Sequence, residues 1–329
     1  MLFKGQNFAK HILALGFAAV FATGCGQQNS NGDTTQKTAS APADATTASG
    51  QQHFSSKAGE ITIPENLTRI AALDGNALAT ILALGAEDKV VAVSKGTVLP
   101  KALQQFADKQ FIDAGSAKEA NLERVASSQP EVIFINGRME NQVQALKDIA
   151  PTYFLDVDYN NQFPSFKQQT LNIAKMVGKT AVAEEKLAKL EADIADIKSK
   201  TGDKTALIVM VNNNKLAAYG PHSRFGVIHD LFGFKPADDS IKVGLHGMAI
   251  SPEFIAEKNP DYIFVIDRGA AITDQKDAAK KVLDNALVNK SNAAKNGNIV
   301  YLDSATWYLM TDSLLGMQTM TDEVSQALK

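Results

Sequence analysis

Arginine is scarce in this chain: only five occur among its 33 basic side chains. Two of them, Arg138 and Arg268, end apolar runs in closely similar segments, and a third, Arg224, sits in the Gly- and Pro-bounded stretch YGPHSRFG at residues 219–226. A guanidinium is planar, permanently charged and carries a fork of donors. It therefore suits carboxylates, phosphates or catecholate oxygens, and three of them together suit a trianion. The bland alternative is that these arginines make surface ion pairs. His246, between Gly244 and Gly247 in VGLHGMAIS, falls in a backbone-permissive turn, and Tyr308 lies in DSATWYLMTDS beside Trp307, the sole tryptophan. His246, Trp307 and Tyr308 are candidates for ligand contact; a surface histidine and a core Trp–Tyr pair are the competing readings.

What positions two of the arginines is a near-repeat. NLERVASSQPEVIFINGR, residues 121–138, matches SPEFIAEKNPDYIFVIDR, residues 251–268. Glu123, Pro130, Glu131 and Arg138 correspond to Glu253, Pro260, Asp261 and Arg268. Each copy reads as a helix stopped by a turn proline, then a buried strand that delivers an arginine to its carboxyl end, the place where open α/β sheets bind ligands. Two copies imply two lobes of related architecture.

The surrounding pattern agrees with an α/β fold. Apolar runs at residues 61–73, 90–93, 206–211, 215–219, 262–266 and 299–302 read as strands, and those at 77–84 and 227–232 as helices. Between the two series, Leu187, Leu190, Ile194 and Ile197 recur at helical spacing, with Gly178 separating this helix from one near residues 166–177. The expected body is therefore an N-terminal α/β lobe at residues 55–165, a helical bridge at 166–201 and a C-terminal α/β lobe at 202–329.

The first 54 residues read otherwise. Lys4 and Lys10 precede an apolar stretch at 12–22 that suits an export signal spanning residues 1–24. ATGC, ending in Cys25, resembles the lipobox of bacterial lipoproteins, which implies a lipidated Cys25; an ordinary cleaved signal is the alternative. Residues 25–54 are rich in Ser, Thr, Gln, Asn and Gly, the composition of a flexible tether. Cys25 is the only cysteine, so disulfide scaffolds and thiolate zinc sites are excluded. The formal charge of -3 argues against a nucleic-acid partner. Gly178-Lys179-Thr180 is not a phosphate loop, since Ile173 stands where glycine is required, and Ser223 does not lie in a nucleophile elbow.

In GPHSRFGVIHD, KVGLHG, EKNPDYIFVIDR and TWYL the chain resembles the periplasmic siderophore-binding lipoproteins of ABC importers, in the branch for ferric catecholate and anguibactin-type siderophores. The resemblance covers the body from about residue 61 onward. It implies the helical-backbone, class III binding-protein fold, with two Rossmann-like lobes joined by a long helix and a ligand cleft between them. It also implies that Arg138, Arg224 and Arg268 surround an anionic iron complex. His246 and Tyr308 then complete iron coordination when the siderophore supplies fewer than six donors. Glu123 and Glu253 would dock on an inner-membrane ABC permease with its ATPase. The protein would be a monomer without intrinsic cofactor, held at the membrane by its lipid. An extracytoplasmic hydrolase or reductase acting on siderophores, and a haem or cobalamin binder, are the other readings.

Overall fold

The computed structural model describes residues 50–328 apart from 97, 243, 245 and 274–277. The expected export signal, Cys25 and most of the expected tether lie outside the described residues. Thirteen strands run through the described residues: β1 (Gln51–Ser56), β2 (Gly59–Pro64), β3 (Ile70–Ala72), β4 (Val90–Val93), β5 (Ile112–Asp113), β6 (Val132–Asn136) and β7 (Thr152–Leu155) come before the helical bridge. After it come β8 (Thr205–Asn212), β9 (Lys215–Tyr219), β10 (Lys235–Pro236), β11 (Met248–Ile250), β12 (Tyr262–Asp267) and β13 (Ile299–Tyr301).

The first lobe is a parallel sheet in the order β5-β4-β3-β6-β7, and the second has the order β11-β9-β8-β12-β13 with β10 beside β8. In each, the chain leaves a central strand first to one side and then to the other. The resulting crevice opens at the carboxyl ends of β3 and β6 in one lobe and of β8 and β12 in the other. Those ends carry Asp74 and Arg138, and Asn212 and Arg268.

The sequence repeat has a backbone counterpart. The residues before the two prolines, Gln129 and Asn259, both take left-handed conformations, with φ 46° and 44°. That kink, rather than the proline alone, ends each helix. The following acids then clamp the neighbouring strand. Glu131 accepts hydrogen bonds from the backbone N–H groups of Thr68 and Arg69 at 2.6 and 3.0 Å, and Asp261 accepts from the N–H and hydroxyl of Thr205, both at 2.9 Å. The strands β6 and β12 are buried along nearly their whole length.

Two helices, Gln162–Met176 and Thr180–Thr201, form the bridge, with Gly178 at φ 72° between them. A second crossing was not expected. The last helix, Leu314–Ala327, returns to the first lobe and packs on the helix Gly75–Ala83 and on the bridge. Its entry is pinned where Asn76 accepts from the N–H of Asp312 and Thr80 accepts from that of Leu314. One apolar cluster runs unbroken from Phe54 through the bridging helices to Val324, while each lobe keeps a smaller cluster on the other face of its sheet. A core shared by both lobes and tied at two crossings favours small lobe movements over wide closure.

The expected tether is too long by a few residues. Gln51–Ser56 is a strand paired with β2, and it turns Gln52 and Phe54 inward opposite Ile63 and Ile61. One large apolar residue in a polar stretch suffices because the hairpin docks on a core already formed.

Candidate functional site

Arg224, Arg268, His246 and Tyr308 line one cavity of about 520 Å³ in the second lobe. Each is placed by local chemistry. Asp267 caps the short helix Arg268–Ile272, accepting from the N–H of Ala270, and so fixes Arg268 at the end of β12. Arg224 sits in a loop held by Ser223 Oγ donating to the Gly220 carbonyl at 2.6 Å and by Asp230 accepting from the N–H of His222 at 2.8 Å. His246 is exposed on a turn that lies close over Tyr219. At the next position a side chain on Gly247, φ 71°, would come within 2.8 Å of the Ala218 carbonyl and the Tyr219 ring. Glycine is what allows that approach.

Tyr308 is on a helix, Ser304–Leu309, rather than in a loop; Asp303 caps it by accepting from the N–H of Ala305. The half-buried phenol accepts a hydrogen bond from Arg268 Nε at 3.0 Å, and the Arg224 guanidinium lies 4.6 Å from its ring centroid while donating to the Tyr308 carbonyl at 2.7 Å. Arg268 also donates to Asn212 Oδ1 at 3.3 Å. Burial works against ionising this phenol, but the Arg268 hydrogen bond and the charges of Arg268, Arg224 and Arg138 outweigh it and hold its pKa below the ordinary tyrosine value.

Arg138 stands apart from the other two. Exposed at the end of β6, it lines an adjoining notch of about 50 Å³ in the first lobe, and it reaches Tyr308 by charge rather than by contact. None of the three has a carboxylate within 4.0 Å among the described residues. Arg124, by contrast, pairs with Asp113 at 3.0 Å, and Arg69 is used up on the Ser128 and Gln129 carbonyls. Charged donors left unpaired along a cleft are poised for an anion.

Trp307 needs correcting as a ligand contact. Its side chain is 0% exposed and its Nε1 donates to Glu323 Oε2 at 2.6 Å, so it belongs to the core. Glu123 and Glu253 line neither the cavity nor the notch; they are exposed in the first turns of the helices Leu122–Ser127 and Pro252–Lys258. A Ser251 hydrogen bond keeps the Glu253 carboxyl below its usual pKa. Three polar side chains of the cavity escaped sequence reasoning: Asn212, Tyr219 and Lys215, the last a further cation with no carboxylate partner among the described residues. Lys215 is one lysine among many, so composition offered no signal for it. Among the described residues no three His, Cys, Asp or Glu side chains come together as a metal site.

Known proteins share this fold. A petrobactin-binding protein of Bacillus subtilis, YclQ, is 39% identical over 98% of this chain and 99% of its own length. Its crystal structure superposes with a TM-score of 0.81, covering 85% of this chain and 99% of that one. The ferric-anguibactin-binding protein FatB of Vibrio anguillarum is 29% identical over 81% of this chain and 84% of its own. The catecholate-siderophore-binding protein VctP of Vibrio cholerae matches with a TM-score of 0.79 at 28% identity, covering 84% of this chain and 100% of that one. The family model described as periplasmic binding protein matches residues 70–306. With its two lobes, helical backbone and cleft at the carboxyl ends of both sheets, the chain belongs to the periplasmic binding protein family.

Proposed function

We propose that this chain captures an anionic ferric siderophore of the catecholate or mixed catecholate class in the interlobe cleft and hands it to an inner-membrane ABC permease. It is a substrate-binding protein rather than an enzyme, and its family is extracytoplasmic. Among the described residues no helix is long and apolar enough to cross a membrane; in this reading the anchor is a lipid on Cys25, at the end of the lipobox-like ATGC. The observation that carries the reading is the pair Arg224 and Arg268 packed on a half-buried tyrosine, with Arg138 of the other lobe acting on it by charge and none of the three paired with a carboxylate among the described residues. Relatives named for petrobactin, anguibactin and a catecholate siderophore support the ligand class.

Arg138, Arg224 and Arg268 neutralise the complex. Ferric iron is a hard cation that accepts phenolate and imidazole, so Tyr308 and His246 serve as the fifth and sixth donors of a tetradentate complex and stand idle with a hexadentate one. The depressed phenol pKa lowers the cost of presenting phenolate to the metal.

The test is a titration with ferric siderophores of different denticity, following the iron charge-transfer band. Tyr308→Phe is expected to shift the band of a tetradentate complex and leave that of a hexadentate one alone; no shift with either rules out direct coordination. Glu123→Ala combined with Glu253→Ala is expected to abolish uptake with affinity intact, since these acids sit at matched places on the two lobes to meet the permease. Lost affinity would put them in the cleft instead.

A further inference from the structure

The large cavity and the first-lobe notch share a wall. Tyr308 faces the cavity, and the next two residues, Leu309 and Met310, face the notch. The notch is otherwise walled by Leu78, Leu99 and Leu103, with Val98 at its lip, 46% exposed. Its floor is polar but already satisfied. The Asp74 carboxylate accepts from the N–H of Ala77 at 2.9 Å and from Asn136 Nδ2, Asn136 Oδ1 accepts from the N–H of Arg138 at 2.9 Å, and Ser94 Oγ donates to the Leu73 carbonyl at 3.1 Å. Water in such a place finds few free partners, and displacing it by an apolar group is favourable. At about 50 Å³ the notch exceeds the roughly 10–15 Å³ that one water needs, enough for a ring edge or a short methylene run.

We propose that this notch is a second ligand subsite, which takes an uncharged apolar arm of the same chelate that the arginines hold and so selects siderophores bearing such an arm over compact ones. The inference rests on the siderophore reading above. Arg138 on the rim orients the ligand: the anionic head turns toward Arg224 and Arg268, and whatever projects past Tyr308 meets apolar walls.

Two synthetic ferric bis-catecholate complexes, identical except that one carries an n-propyl arm on its linker, test it by titration. The parent protein is expected to bind the armed complex about fourfold tighter per buried methylene, about fifteenfold for two. Leu99→Trp, which plugs the notch from its half-exposed edge, should erase the difference and leave the compact complex within about twofold. Val98→Asn, an exposed and uncharged change that cannot unfold the core, should weaken the armed complex alone. Equal affinity of the parent for both complexes, or equal loss of both in the variants, overturns the subsite while the siderophore reading stands. If neither complex binds the parent, both fall.

Discussion

Replacing Arg268 by Gln removes one positive charge from the cleft and the donor on the Tyr308 hydroxyl. Arg268 spends Nε on Tyr308 at 3.0 Å and part of Nη1 on Asn212 at 3.3 Å, and has no carboxylate partner among the described residues, so the rest of its fork is available to the ligand. A hydrogen bond to a charged group contributes about 1.5–3 kcal/mol. Its loss corresponds to about a 10- to 150-fold rise in Kd. Isothermal titration with a ferric catecholate at low and high salt measures this, and the salt dependence of Kd should also flatten, since one attractive charge is gone. Arg124→Gln is the control: that guanidinium sits in an exposed pair with Asp113, and its loss should change Kd by no more than about twofold. An Arg268→Gln protein within threefold of the parent, or an Arg124→Gln protein equally weakened, would refute the reasoning.

The lobe junction offers a prediction on stability. Asp312 lies where the two crossings meet, with Gln162 beside it, accepting from Tyr159 at 3.0 Å, and among the described residues its Oδ1 has no partner at hydrogen-bonding geometry. Burial pushes its carboxyl up to about 6, against the pull of Tyr159 and Arg224. The folded protein thus binds this proton more tightly than the unfolded chain. The associated stability is fully present below about pH 4 and is lost as pH rises through 6, about 3 kcal/mol in all. Asp312→Asn should be flatter than the parent across that window in urea unfolding, and parallel pH profiles would contradict the assignment. Asp261→Ala removes both hydrogen bonds that hold Thr205 at the start of β8. It should cost about 1–3 kcal/mol in thermal or urea unfolding, with ligand affinity unchanged, because β12 places Asp261 and Arg268 about 20 Å apart. A change in affinity would show that the strand transmits strain to the site.

Much of this architecture is written locally in the chain. The repeat is legible because each of its parts answers a local need: a left-handed cap before a proline, an acid for the first N–H groups of a neighbouring strand, a buried run, and a charged residue where the sheet ends. Features that depend on distant partners were not legible. Trp307 and Tyr308 are adjacent, but successive helical residues point about 100° apart, and only the packing of Ser304–Leu309 decides that the indole faces the core and the phenol the cleft. The strand Gln51–Ser56 carries too little apolar periodicity to stand out from the polar stretch before it. Nothing near Asp312 in sequence announces a second crossing, because Tyr159, Asn76 and Arg224 come to it from elsewhere in the chain.

A crystal structure of the protein with a ferric catecholate siderophore tests the central claim most directly. The anionic oxygens of the complex should lie within hydrogen-bonding distance of Arg138 from one lobe and of Arg224 and Arg268 from the other. A complex seated elsewhere, or held by one lobe with the opposite arginine turned away, would contradict it.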